Sequence, residues 1–323
     1  IALENLYCSE NQLTSLDVSN NTALTDFEFT ANQLTAVDLS NNTALGWLKC
    51  SGNQLTSLDV SLNPTLWFLS CSGNELTSLD VSANTALTYL RCEDNQLTYL
   101  NIRNQNPNAI TDFYAFENSL TCIETLDPDY ATANWTSANE NIDAGVTFDV
   151  ICGAEAQTNW YVATTGSDAS GSGTLASPLS SIQTAINAAS SGDTVSVAAG
   201  TYVENINYSG KYISVVGEDP ETTIIDGNQS GRVFVYNNSS GGNDQDLRIS
   251  GFTIQNGLYE NAAGMLIENS QITLENLIIK DNYANHNSGG VNVSGGSPII
   301  KNCIVKNNNA GWAMGGIGFH QTN

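Results

Sequence analysis

The chain has 323 residues, 41% of them hydrophobic, enough for about two domains with cores of their own. Its 33 acidic and 9 basic side chains leave a formal net charge of −24, which repels phosphate backbones and anionic bilayers and makes nucleic acid a poor partner. No apolar run reaches the roughly 18 residues of a membrane span and no basic segment precedes a short apolar one, so neither membrane insertion nor a signal peptide is expected. The chain begins at Ile1, and Gly318 to Asn323 reads as the middle of a strand pattern, so a fragment of a longer protein is expected.

The first elements repeat. Leu16, Val37, Leu58, Leu79 and Leu100 stand 21 residues apart, as do Asn11, Asn32, Asn53, Asn74 and Asn95, and Leu13, Leu34, Leu55, Leu76 and Leu97. One unit reads Leu45, Leu48, Cys50, Asn53, Leu55, the leucine-rich-repeat pattern with Cys or Phe at its third apolar place. A sixth unit, with two extra residues around Gln105 to Asn108, holds Ile110, Phe113, Ala115, Asn118 and Leu120. A single unit cannot bury its apolar face, so coils must stack at about 4.8 Å to build a continuous core. The Asn column is expected to turn its amides inward onto backbone groups freed where the coil bends. Cys8, Cys50, Cys71 and Cys92 share one column with Phe29 and Ala115 and read as small buried apolar residues rather than metal ligands.

Residues 1–125 are therefore assigned to a leucine-rich-repeat solenoid and 126–153 to its C-terminal cap. The cap carries Trp135 and Phe148 to cover the open end of the core. Cys122, where the period fails, and Cys152 are expected to form a disulfide worth roughly 3 to 4 kcal/mol in the chain-entropy model. Two free buried thiols are the alternative. A disulfide implies an oxidising, extracellular or cell-surface location.

Residues 154–159 read as a linker and 160–323 as the N-terminal part of a right-handed parallel β-helix that continues beyond the fragment. Trp160 to Val162 predicts a strand and Ser167 to Ser177 a Gly/Ser loop. A single helix is expected near 181–190, with Ile182, Ala185, Ile186 and Ala189 on one face and Gly192 as its stop. Short strands follow around Val195, Ile213 to Val216, Thr223 to Ile225 and Val233 to Val235. Phe252, Leu277 and Cys303 then recur at 25 and 26 residues, as do Ile254, Ile279 and Val305, while Gly264, Gly290 and Gly316 are 26 apart. Coils of this length argue for the β-helix, and the helix would cap its N-terminal end. The expected fold class is mainly β: the 21-residue solenoid, then the β-helix with one capping helix.

The stretch Asn159 to Glu204, with N-W-Y-V-A, G-T-L-A-S-P, I-Q-T-A-I, S-G-D-T-V and A-A-G-T-Y-V-E-N-I, resembles the opening of secreted pectin-lyase-fold proteins. The first half, including L-T-C-I at Leu120 to Ile123 and N-W-T at Asn134 to Thr136, resembles the leucine-rich repeats of Bacteroidetes surface proteins exported by the type IX secretion system. The resemblance implies fold and export route. It implies little about activity, because such solenoids serve as adhesins, glycan-binding proteins, filament components and carbohydrate-active enzymes.

Positions between core leucines point out from the concave sheet. One outward column holds Asn5, Asp26, Trp47, Phe68, Tyr89 and Asp112, and the next holds Tyr7, Glu28, Lys49, Ser70, Arg91 and Tyr114. The candidate ligand face is thus Trp47, Phe68 and Tyr89 with Tyr7, Lys49, Arg91 and Tyr114. Aromatic rings beside hydrogen-bonding groups suit a sugar or a peptide, and packing of a neighbouring domain is the alternative. Asp17, Asp38, Asp59 and Asp80 form an acidic column that Ca²⁺ would relieve, although local Ser and Thr hydrogen bonds serve as well. Residues 1–157 carry 20 acidic and 3 basic side chains. In the β-helix the best catalytic constellation is Lys280, Asp281, His286 and Lys306, though outward Lys on successive coils is ordinary solvated surface. No catalytic or metal residue is assigned, and no cofactor beyond that Ca²⁺. The leading expectation is a secreted adhesion module whose partner is a glycan or cell-surface protein. The alternatives are a homo-oligomeric appendage subunit and a polysaccharide lyase or hydrolase with catalytic residues beyond the fragment.

Overall fold

The computed structural model describes residues 2–104, 109–154, 157–238 and 244–320. The chain divides into two compact units, Ile1–Cys152 and Gly153–Asn323. The expected two-residue insertion around Gln105 to Asn108 lies outside the described residues, as do Glu155 and Ala156 of the expected linker.

In the first unit Asn5–Tyr7, Asp26–Glu28, Trp47–Lys49, Phe68–Ser70, Tyr89–Arg91 and Asp112–Tyr114 form a six-stranded parallel sheet. Asp26 pairs with Trp47, Trp47 with Phe68 and Phe68 with Tyr89, so each coil sets the same position beside its neighbour. Strand alternation turns the central residue inward, and Phe27, Leu48, Leu69 and Leu90 are fully buried. A second sheet runs Ser78–Asp80, Tyr99–Asn101, Cys122–Glu124 and Thr147–Asp149, all parallel.

The turns between strands are held by asparagine. Asn53 Nδ2 donates to the Phe29 and Cys50 carbonyls at 3.0 and 3.1 Å, and its Oδ1 accepts from Leu34 N–H at 3.1 Å. Asn32, Asn74, Asn95 and Asn118 repeat the pattern. A second asparagine ladder adds to it. Asn42, Asn63 and Asn84 are fully buried and donate to two carbonyls of the preceding coil, as Asn63 does to Asn42 at 2.8 Å and Leu39 at 3.3 Å. Their 21-residue spacing runs in the sequence beside the leucine columns.

Cys50, Cys71 and Cys92 are fully buried with Phe29, and Ala115 nearly so, whereas Cys8 at the end of the column is only half-buried. Desolvation pushes the Cys50 thiol up to about 12 and the Cys71 and Cys92 thiols up as well. Thiolate is the reactive form. Iodoacetamide at pH 8 is therefore expected to modify Cys8 and Cys303 in the native protein and to reach Cys50, Cys71 and Cys92 only after unfolding. Peptide mass spectrometry reads this directly, and native labelling of Cys71 would contradict it.

The core ends under the cap, where Trp135 packs on Phe113 at 4.5 Å and on Phe148 at 5.9 Å between ring centroids. A helix not expected from the sequence, α1 (Pro128–Asn134), carries Trp135 at its C-cap. Its start signal is local: Asp127 accepts the Tyr130 N–H at 2.9 Å and Pro128 occupies the first turn. Of its seven residues only Ala131 is buried, so the segment carries no apolar i, i+3, i+4 stripe, which is why the expectation of a single helix fails.

In the second unit the chain passes repeatedly through three parallel sheets. The first contains Asn159–Val162, Thr194–Val197, Ser214–Gly217, Arg248–Ser250, Thr273–Glu275 and Ile299–Lys301. The second runs from Gly200–Val203 to Ile304–Lys306 and the third from Ile206–Asn207 to Ile317–His320. A short fourth sheet lies between them at Leu258–Tyr259, Tyr283–Ala284 and Asn309–Ala310. Visiting the sheets in this order, coil after coil, makes a parallel β-helix. Ile254 stacks on Ile279 and Ile279 on Val305. Gly264 and Gly290 are required by close approach, because a Cβ would meet the next coil's carbonyl oxygen at 2.3 and 2.5 Å.

Helix α2 (Ile182–Ala188) starts at the Ser181 cap and ends four residues before Gly192. Ile182, Ala185 and Ile186 are fully buried. Both ends are anchored by side chains: Glu204 accepts from Ile182 and Gln183 N–H at 2.9 Å each, Asp168 accepts from Ser180 and Ser181 N–H, and Lys211 donates to the Ala189 carbonyl. No helix among the described residues is long and apolar enough to cross a membrane.

Candidate functional site

The outward face of the six-stranded sheet carries the aromatic row. Trp47 and Phe68 lie 5.2 Å apart between ring centroids, and Phe68 and Tyr89 4.0 Å apart with planes 14° from parallel. Tyr7, 61% exposed, meets Trp47 edge-on at 6.2 Å. This changes what the row offers. In-register strands set successive rings face to face, so the rings spend their faces on one another and present edges to solvent. Trp47, Phe68 and Tyr89 are accordingly half-buried, forming an apolar ridge rather than three separate platforms.

Trp67 belongs to this surface and was not among the expected residues. It is 48% exposed and meets Phe68 edge-on at 5.7 Å. Gly46, one coil back, makes room for the indole, since a Cβ there would lie 3.3 Å from the ring. An outward Trp one coil after a Gly in the same column is the signal that could have found it.

The basic residues of the face are neutralised. Lys49 pairs with Glu28 at 3.4 Å and Arg91 with Asp112 at 3.1 Å. The Arg91 guanidinium also lies 5.2 Å from the Tyr89 ring centroid and 4.5 Å from that of Tyr114. Burial pushes the Tyr89 hydroxyl up, and desolvation raises the neighbouring half-buried Glu93 carboxyl. The third cation of this unit, Arg103, forms a buried pair with Glu124 at 3.1 Å. Every Lys and Arg of the first unit is thus matched by a carboxylate.

Cys122 and Cys152 are joined by a disulfide with Cα atoms 5.9 Å apart. Glu124 supports it from below, accepting Cys152 N–H at 3.2 Å and the Tyr99 hydroxyl at 3.1 Å. In the acidic column each Asp accepts the N–H two residues on, Asp17 from Ser19, Asp38 from Ser40, Asp59 from Ser61 and Asp80 from Ser82, all at 2.9 Å. Hydrogen bonds from those serines hold Asp17, Asp38 and Asp59 below the usual carboxylate range.

In the β-helix, Lys280 and Lys306 are register neighbours and Lys280 pairs with Asp281 at 3.7 Å. His286 instead stacks on the Trp312 indole at 4.4 Å. None of the four lines the groove of about 650 Å³ that runs past Glu218, Asp219, Arg248 and Glu275. Among the described residues no three His, Cys, Asp or Glu side chains converge as a metal site.

No curated protein matches the chain. A solved structure described as the functional domain of InlJ from Listeria monocytogenes, which includes a cysteine ladder, is similar at 21% identity over 88% of this chain, with a TM-score of 0.37. The chain spans 64% of that structure's length. The family described as Pel9A-like, right handed beta helix region, matches residues 160–322. That match takes in just over half of the chain, and with the stacked parallel coils from Trp160 onward it means that the chain belongs to the Pel9A-like right-handed β-helix family.

Proposed function

We propose that the chain is an extracellular adhesion module. Its first unit is a leucine-rich-repeat solenoid whose concave aromatic face binds a surface glycan or a segment of a surface protein. The observation that carries this reading is the continuous ridge Trp47, Phe68 and Tyr89, flanked by Tyr7 and Trp67, left half-open on a sheet whose other outward positions are polar. Aromatic ridges of this kind are costly to hydrate and act as anchors when a partner covers them. The disulfide supports an oxidising location. Trp47→Ala combined with Tyr89→Ala is expected to reduce retention on a glycan array or on cells by about a hundredfold, roughly 3 kcal/mol, because two anchors are lost. The core beneath is untouched, so the melting temperature should stay within a few degrees. Unchanged binding would sink the proposal.

A second reading, polysaccharide lyase, is favoured by the β-helix family and by the in-register pair Lys280 and Lys306. It expects unsaturated products from acidic polysaccharides, and a broad substrate panel yielding none would end it for this chain.

A further inference from the structure

We propose that the aromatic face ends in a saccharide subsite, a pocket between the last concave strand and the cap that takes a neutral, hydroxyl-rich sugar unit. This rests on the reading of the ridge as a binding face and names the ligand class that face selects. The columns themselves lead to the pocket: Tyr89 pairs in register with Asp112 and Arg91 with Tyr114, and Asp112 and Tyr114 form one wall. Tyr130 of α1 and Asn139 of the following 3-10 turn (Ser137–Asn139) form the other. The cavity is about 360 Å³, within the range of small-ligand pockets.

Its chemistry is specific. The floor is aromatic, with the Trp135 indole 5% exposed and the Tyr130 ring standing perpendicular to it at 5.8 Å. Asn141 is spent on structure, donating to the Phe113 carbonyl at 2.8 Å and accepting from Thr136 N–H at 3.1 Å, so it acts as a rigid wall. The Tyr130 hydroxyl and the Asn139 side-chain amide, in contrast, have no hydrogen-bond partner among the described residues. Asp112 commits one oxygen to Arg91 and keeps the other. A hydroxyl, an amide and a half-used carboxylate over an aromatic floor pair well with sugar hydroxyls, which both donate and accept. An apolar peptide side chain would leave those groups unsatisfied.

Charge narrows the class. A uronate or sialate would find no free cation here, because Lys49, Arg91 and Arg103 are already paired, and it would face the carboxylate of Asp112. The site therefore selects neutral glycans over acidic ones, even though the second unit belongs to a family of Pel9A-like coils.

The test uses the full chain on an array of neutral hexose and N-acetylhexosamine oligosaccharides printed beside uronate- and sialate-bearing counterparts. Wild-type protein should retain a neutral glycan at least about tenfold better than its acidic counterpart. Tyr130→Phe with Asn139→Ala, which keeps the ring packing and the fold, should lower that affinity about tenfold with an unchanged melting curve. Equal or tighter binding of acidic glycans would overturn the proposal. So would binding only to a surface protein, or glycan binding that Trp47→Ala with Tyr89→Ala abolishes while the pocket pair leaves it intact; in both cases the ridge reading survives. Glycan binding insensitive to both sets of substitutions would remove the ridge reading and this one together.

Discussion

Asn53→Ala is expected to lower the stability of the first unit by about 2 to 4 kcal/mol, because the buried Leu34 N–H loses its acceptor, at roughly 1 to 3 kcal/mol, and two carbonyls each lose one of their two asparagine donors, keeping those of Asn32 and Asn74. Those groups are the carbonyls of Phe29 and Cys50 and the N–H of Leu34, which belong to adjacent coils. In a solenoid stability is carried by nearest-neighbour interfaces, so the loss should spread to the flanking coils and not stay at one turn. Urea denaturation gives the magnitude, and hydrogen exchange in the strands Asp26–Glu28 and Trp47–Lys49 gives the location. Asn11→Ala is the internal control. Its amide makes the same kind of bonds, to the Cys8 and Ser9 carbonyls, but is exposed, so water replaces it at a cost under about 1 kcal/mol. Equal effects at the two positions would refute the inward-amide account. Asn53→Asp adds a pH signature. A buried carboxylate facing two carbonyls has its folded pKa raised, so stability is greatest below the unfolded value of about 3.9 and is lost as pH rises through the folded one.

Removing the disulfide is the second large effect. Cys122→Ser with Cys152→Ser frees a loop of 30 residues, for which the chain-entropy model gives roughly 3 to 4 kcal/mol. For a unit of this size that corresponds to a fall in melting temperature on the order of 10 °C. The strand Thr147–Asp149 pairs only with Cys122–Glu124 among the described strands, so the cap should open there first. Trp135 and Phe148 would then leave Phe113 exposed. Limited proteolysis between residues 126 and 152 should become rapid in the variant, or in wild type under reductant. A melting curve insensitive to reductant would show that the buried Arg103–Glu124 pair and the aromatic cap hold the end without the staple.

The inward columns were readable because stacking coils place position i beside its equivalent in the next coil, so spacing alone says which side chains touch. Phe27, Leu48, Leu69 and Leu90 are buried for that reason, and the carbonyls next to Gly264 and Gly290 forbid a side chain for the same one. The outward face was readable only as a list of neighbours. Spacing placed Trp47, Phe68 and Tyr89 in a row, but ring orientation depends on strand register and the rotamers that packing allows. The faces proved to be shared among the rings and the edges left open. Lys49 and Arg91, expected to face a ligand, are paired with Glu28 and Asp112, because opposite charges on adjacent coils find each other before any ligand does. His286 was grouped with Lys280 by proximity in sequence, whereas its ring packs against Trp312 one coil on.

By itself the sequence determined the periodic part of this protein: which residues face the core, where the coils turn, and which outward positions share a column. These follow from a repeat whose contacts are all with the next coil, and such contacts are local in register even when distant in chain number. The tertiary structure alone decided the aperiodic part. Helix α1, the buried Arg103–Glu124 pair beneath the disulfide, and the pocket that brings Tyr130 and Asn139 to Asp112 carry no period. They depend on where the last coil stops and how the cap folds back over its open core, which no column of the repeat specifies.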